Sequence, residues 1–275
     1  MSDQPDVALG IDIGGTGTKG GLVDISSGSL VSQRYRLDTP QPATPTDVSD
    51  VVAAVAARFD FAGPVGVAFP GVVLNGVAHT AANLDDSWIG SSLHQLIGPR
   101  LDGPSTFLND ADAAGLAEAH YGAARGQQGV VVVVTFGTGI GVAVINNGEL
   151  VANSELGHIE IDNVEAERRA AASARERDQL TWAEWGARAD TYLKALENLV
   201  WPNLIILGGG ISKNPEKWLH HLNPRTPVRL AQSTNNAGII GAADAAWMQH
   251  RADATQLIQH RAGRAIQPPA EPFPS

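Results

Sequence analysis

Apolar residues in this chain gather in short dense runs, broken by glycine clusters and prolyl loops and interleaved with alanine-rich stretches of helical spacing. Val7 to Ile13 is the first such run, and Gly20 to Ile25 resumes as a second strand. The four to six residues between them predict an antiparallel hairpin. TPQPATPTD (39–47) reads as a loop whose last residues, Thr46 and Asp47, are expected to cap a helix carrying Val48, Val51, Val52 and Val55 on one face. PVGVAFPGVV (64–73) is a strand entering a Pro-Gly turn. Ser105 to Leu108 is a short strand ending at Asn109-Asp110, and ADAAGLAEAHYGAA after it is an alanine-rich helix. Residues 129–150, GVVVVVTFGTGIGVAVINNGEL, read as strand, glycine turn, strand and an Asn-Asn-Gly turn. Residues 163–199 have a charged helical pattern, and WPNLIILGGGIS (201–212) is a buried strand ending in three glycines. Residues 238–250 form a small-residue helix, and beyond about Ala252 the core pattern stops, so that a disordered Pro-rich tail is expected.

The glycine turns at 14–18 and 137–141 both centre on Gly-Thr-Gly and sit at corresponding points of two strand-rich halves. This weak internal repeat implies two related lobes facing a cleft, in an α/β protein with mixed sheets.

Composition narrows the function classes. With 275 residues, 43% of them hydrophobic, the chain can build one large domain or two linked lobes. The absence of cysteine excludes disulfides, thiolate nucleophiles and Cys-ligated zinc. A formal charge of −10 argues against non-specific nucleic-acid binding, although it leaves room for a local basic groove. The first residues carry neither a basic nor an apolar targeting segment, and no apolar run reaches the roughly 18 residues that span a bilayer. A cytoplasmic protein without membrane or nucleic-acid partners is expected.

The turn at 14–18 is not a GxxxxGK[ST] phosphate loop, nor a dinucleotide fingerprint, because a strand follows it. Its amides, with Thr16, Thr18 and Lys19, can form an anion nest; a plain hairpin turn is the alternative. FGTGIG is open to the same two readings, and GGGIS is a third glycine-rich strand end. Three such ends around one cleft suit close backbone approach to phosphates. Asp110, just past a strand, can accept the proton of a sugar hydroxyl, or it and Asn109 can simply cap the helix. Asp12 can hold Mg²⁺ or sit as a buried turn aspartate. ELGHIE gathers Glu155, His158 and Glu160 as half a metal site, a catalytic pair or a polyol-binding cluster, zinc being the poorest fit. GxSxG is missing, so serine-hydrolase chemistry is not indicated.

GIDIGGTGTKGGLVD, LNDADAAGLAE, TFGTGIGVAV, ELGHIE and IILGGGISK, in this order, resemble the ROK (repressor, open reading frame, kinase) sugar kinases, to about residue 250. TPQPATP, NLDDSW and STNNAGIIGAA bring the resemblance closest to the branch that phosphorylates glucose from polyphosphate. The resemblance implies an actin-like ATPase (ribonuclease H-like) fold, with a smaller lobe at 1–108 completed by the helix 238–252, a larger lobe at 109–237 and a tail at 253–275. It implies Asp110 as catalytic base and Asn83, Asn109, Glu155 and His158 as sugar contacts. Gly14, Gly15, Thr16, Gly17, Thr18 and Lys19 match one phosphate loop, and Gly137, Thr138 and Gly139 the other. Gly208, Gly209 and Gly210 match the adenosine-side loop, and Asp12 the Mg²⁺-linked aspartate. It further implies glucose, polyphosphate and ATP as ligands, and a homodimer. An ATP-only hexokinase for glucose, mannose or N-acetylmannosamine is the alternative. The family's zinc-binding cysteines after the GH motif are missing, so zinc is not expected and something else must order that segment. Glu165 matches the second sugar-binding glutamate, with Glu160 and Glu167 as rivals. Arg168, Arg169, Arg175 and Arg177 read either as a basic stripe for polyphosphate or as a solvated face paired with Glu165, Glu167 and Glu176.

Overall fold

The structure is a computed structural model and describes residues 6–265. Alternating apolar residues dictate two sheets of one plan. The first contains β1 (Val7–Ile13), β2 (Gly17–Asp24), β3 (Ser29–Leu30), β4 (Tyr35–Asp38), β5 (Val65–Phe69) and, after a separate small hairpin of β6 (Val73–Leu74) and β7 (Val77–Ala78), β8 (Ser105–Asn109). Its order is β3-β2-β1-β5-β8, with β4 on β2; β2 is antiparallel to β1, while β5 and β8 continue parallel. The second contains β9 (Val130–Phe136), β10 (Ile140–Asn146), β11 (Glu149–Val151), then, beyond the hairpin β12 (Glu160–Ile161) and β13 (Val164–Glu165), β14 (Leu204–Gly208) and β15 (Val228–Leu230). Its order, β11-β10-β9-β14-β15, repeats the first strand for strand, again a hairpin followed by parallel neighbours.

Each sheet is covered on both faces. Leu9, Ile11 and Ile13 of β1 pack with Val48, Val52 and Val55 of α1 (Pro45–Ala57) and with Trp88, near the short α2 (Leu93–Leu96). Val132, Val134 and Phe136 of β9 pack with Trp185, Tyr192 and Leu196 of α6 (Trp182–Val200). Each fully buried side chain of this size contributes about 1.5–3 kcal/mol. The facing surfaces are lined by small residues, and there α3 (Asp110–His120) and α7 (Ala237–Ala265) pack between the lobes. Close approach requires glycine here: a Cβ on Gly10 would stand 1.9 Å from the Ile239 carbonyl, and one on Gly241 1.7 Å from that of Ala113. Asp244 of α7 pins the far end of α3, 2.6 Å from His120 Nδ1 and accepting a 2.6 Å bond from Tyr121 OH.

Several local expectations need correction. The cap of α1 is Thr44 rather than Thr46 or Asp47, because Pro45 takes the first helical position, where a missing N–H costs nothing. Residues 163–199 do not begin as helix: Asp162 and Asn163, both at positive φ, turn β12 into β13. Two short helices, α4 (Ala166–Ala170) and α5 (Ala172–Arg177), follow before α6. The last helix does not stop near 252 but runs to Ala265, while 266–275 of the expected tail lies outside the described residues. Among the described residues no helix is long and apolar enough to cross a membrane.

Candidate active site

The strand β8 delivers Asn109 and Asp110 to the cleft between the sheets. Asn109 Oδ1 caps α3, accepting from the amides of Ala111 (2.8 Å) and Asp112 (3.0 Å). Its Nδ2 donates to the Gly71 carbonyl (3.1 Å) and reaches Glu155 Oε1 (3.4 Å). With the capping done by its neighbour, Asp110 can face the cleft, though it still accepts from the Ala111 amide (2.8 Å). Two recesses meet at its carboxylate, one of about 430 Å³ and one of about 600 Å³, both in the range of small-ligand sites, and a third opens beside it. Burial first, then the charges of Asp12 and Glu155, push Asp110 up to about 7 against the pull of the Ala111 amide.

The first recess is polar at one end. Glu155, His158 and Glu167 line it with Asn109, Gly71 and Thr80. His158 is flanked by two carboxylates, Glu155 Oε2 at 3.5 Å from Nε2 and Glu165 Oε1 at 3.7 Å from Nδ1. Glu155 is shifted upward by burial, with Glu167 adding to the shift and His158 opposing it. Of the three rival glutamates, Glu167 faces the recess, whereas Glu165 lies behind His158 and bonds Arg168 at 2.9 Å. Glu160 pairs across the hairpin with Glu165.

The second recess is walled by both glycine turns: Gly14, Gly15 and Thr16 from one side, Gly137, Thr138 and Gly139 from the other. In the first turn three carbonyls are held by side chains: Gly14 O accepts from Thr39 Oγ1 (2.6 Å), Gly15 O from Gln41 Nε2 (3.1 Å) and Thr16 O from Arg36 (2.8 Å). The Gly15 and Thr16 amides have no partner among the described residues and are left for a ligand. In the second turn Ser173 of α5 does the same work, its amide on Gly137 O (3.1 Å) and its hydroxyl on Thr138 O (2.5 Å). Asn83 lies here rather than with the first recess: a Cβ on Gly15 would come 2.7 Å from its own Cβ. Gly17 and Thr18 do not line any of these recesses; Gly17 is covered by Arg36, and Thr18 is buried against Thr39.

Beside Asp110, the third recess contains Asp12, Lys19, Glu118, Gly208, Gly209 and Gly238; Gly210 stands outside all three. Asp12 Oδ2 holds Lys19 at 3.0 Å, and Lys19 also donates to the Asn235 carbonyl (3.0 Å). Gly238 leaves room for Asp12: a Cβ there would sit 2.4 Å from Asp12 Oδ2 and displace the carboxylate. Asp12 is thus the carboxylate beside the turn amides, and among the described residues no group of three His, Cys, Asp or Glu gathers to cage a metal.

Three supporting residues were not singled out from the sequence. Buried Asp112 accepts from the Asn153 amide (2.7 Å), and Asn153 in turn clasps both backbone groups of Val73. Burial, assisted by Glu155, pushes Asp112 up to about 6. Glu118 fixes the third recess by accepting from the amides of Ala123, Gln232 and Ser233. The segment after His158 is packed by apolar contacts and by Trp185: Ala170, Ala171 and Ala174 are buried, and Trp185 Nε1 donates to the Ala170 and Ala171 carbonyls.

The family model described as "ROK family" matches residues 8–169. The chain is 52% identical over 236 residues to a polyphosphate glucokinase of Mycobacterium tuberculosis (strain CDC 1551 / Oshkosh), covering 86% of this chain and 89% of the relative. Its fold matches the crystal structure of an inorganic polyphosphate/ATP-glucomannokinase from Arthrobacter sp. strain KM, with TM-score 0.86 and 50% identity over 89% of this chain and 99% of the other. It also matches a ROK family glucokinase from Streptomyces griseus in complex with glucose and AMPPNP, with TM-score 0.75 and 25% identity over 87% and 99% of the two chains.

Proposed function

The chain belongs to the ROK family and has its actin-like ATPase fold, and from that premise we propose that it transfers a phosphoryl group from inorganic polyphosphate, and also from ATP, to the 6-hydroxyl of glucose. The observation that carries this reading is the position of Asp110, at the meeting point of a polyol-sized recess and an amide-lined one. Glucose occupies the first, held by Asn109, Glu155, His158 and Glu167. The donor's terminal phosphates occupy the second, against the amides of Gly15, Thr16, Thr138 and Gly139, with Asn83 at its wall. Asp110 accepts the hydroxyl proton as the new O–P bond forms and the donor's terminal phosphoanhydride P–O bond breaks, the shortened polyphosphate or ADP leaving with the electron pair, and its raised pKa suits a base working near neutrality. Positioning and fixed dipoles supply the remaining acceleration.

Mg²⁺ fits the donor set: it takes one or two protein carboxylates and completes its shell with phosphate oxygens and water, and Asp12 is such a carboxylate beside the turn. Asp12, positioned by Lys19, would hold the ion, which would neutralise phosphate charge there. Gly208 and Gly209 border the space for a nucleoside. A cytoplasmic homodimer completes the reading, and light scattering tests its stoichiometry.

The experiment is a coupled assay for glucose 6-phosphate with long-chain polyphosphate and with ATP, mannose serving as second acceptor. Turnover of glucose with both donors is expected. Turnover with ATP alone would replace this reading by an ATP-dependent hexokinase.

A further inference from the structure

The four arginines at 168–177 do not share one fate. Arg168 is paired with Glu165 (2.9 Å), Arg169 with Asp162 (3.2 Å) and Arg177 with Asp178 (2.8 Å). Arg175 has no carboxylate within 4 Å among the described residues; its guanidinium carbon lies 3.8 Å above the Trp182 ring, and its Nε is buried without a partner. Lys217 Nζ approaches the same ring at 5.9 Å and is likewise without an acidic partner there. Glu176 and Glu216, their sequence neighbours, pair with neither. Among the described residues Trp182 is the one ring approached by two cations.

Their location links them to the donor recess. Arg175 belongs to α5, the helix whose Ser173 is bonded to the turn 137–139. Lys217 ends the second of two short 3-10 segments after Gly209, Gly210–Lys213 and Pro215–Lys217, with Trp218 Nε1 fixed on the Ile211 carbonyl (3.0 Å). The 208–210 loop touches the turn at 137–139, since a Cβ on Gly209 would meet the Phe136 carbonyl at 2.4 Å. Both cations are therefore borne by elements that lead away from the C-terminal-lobe wall of the donor recess, which Gly137, Thr138, Gly139 and Gly209 line.

We propose that Arg175 and Lys217, gathered on Trp182, seat the distal phosphoryl groups of a polyphosphate chain, past the reach of the three in ATP. The proposal rests on the donor assignment above. The indole fixes the guanidinium plane and leaves its N–H edge for phosphate oxygens, a geometry that arginine provides bidentately, and the lysine adds a point charge.

Lys217→Glu, Arg175→Gln and the double variant Arg175→Gln/Lys217→Ala, each assayed with long-chain polyphosphate, tripolyphosphate and ATP, test it. In the double variant KM for the long chain should rise by about tenfold with kcat nearly unchanged, while KM for tripolyphosphate and ATP stays as in wild type. The salt dependence of the long-chain KM should weaken as well. An unchanged long-chain KM, or an equal rise for ATP, overturns the proposal. Lys217→Glu alters only an exposed side chain, so its long-chain KM must rise even if the Arg175 variants fold poorly; no rise refutes the seat. If wild type does not use polyphosphate, the donor assignment itself fails; if wild type uses it and the variants match wild type, only the seat fails.

Discussion

The two glycine turns solve one problem with different parts. Both close a hairpin whose first strand is flanked by a parallel neighbour, and in both side chains hold turn carbonyls beside the same recess. In the N-terminal lobe three separate side chains, Arg36, Thr39 and Gln41, hold the carbonyls, and charged Asp12 and Lys19 stand beside the turn. In the C-terminal lobe Ser173 alone holds two carbonyls, and the nearest charge is Glu167, which accepts from the Ile140 amide at 2.9 Å. The first turn is thus coupled to the Asp12–Lys19 pair, the second to the recess of Asn109, Glu155 and His158 that Glu167 also lines. Repetition of a sheet plan fixes where the turns stand, and the unrepeated side chains decide what each turn is connected to.

The sharpest way to break this comparison is to add one methyl group within the second turn. A Cβ on Gly139 would lie 2.2 Å from Glu167 Oε2, whereas one on Gly137 meets nothing within 4 Å. Gly139→Ala should lower kcat/KM for glucose by about 10²-fold, and Gly137→Ala by no more than about threefold. Equal losses would show that the turn and Glu167 are not coupled as described.

Smaller effects come from the anchors. Ser173→Ala and Thr39→Val each remove a hydroxyl that holds a turn carbonyl. A hydrogen bond worth about 1 kcal/mol corresponds to roughly fivefold in donor KM, with glucose KM unchanged. Thr39 is buried, so its variant should also melt lower in calorimetry, while the Ser173 variant should not. A rise confined to glucose KM would contradict the role given to these carbonyls.

The smallest effect concerns the charge that only the first turn has. The base is active when ionised, so kcat/KM should fall as pH drops through about 7, the pKa to which burial and then Asp12 raise Asp110. In the protein free of metal and donor, Asp12→Asn removes a negative neighbour and should move the Asp110 titration to lower pH, by a modest amount because burial is the larger cause. Carboxyl NMR shifts followed against pH read it; a titration that stays put or moves upward would exclude Asp12 as a perturber.

Much of the fold was legible in residues, because strand alternation and glycine placement are local signals. Ile11 and Val134 declare buried strands, and the paired Gly-Thr-Gly turns declared the repeat. What escaped was set by distant contacts. Glu165 and Glu167 are equivalent on paper; only the break between β13 and α4 sends Glu167 into the recess and leaves Glu165 behind His158. Asn83 reads as a sugar contact in the motif, yet its backbone at φ 59 carries it against Gly15. Asp112 looks like one more helix residue until the Asn153 amide is placed on it. The pairing of three arginines and the isolation of the fourth depend on acids brought in by the β12–β13 turn and the end of α5.

The most direct test of the account is Asp110→Asn, with glucose affinity measured by calorimetry and turnover measured with polyphosphate and with ATP. The account predicts glucose binding within a few-fold of wild type and turnover lowered by about 10³-fold with both donors alike. Near-normal turnover with either donor, or turnover that falls only because glucose no longer binds, would contradict it.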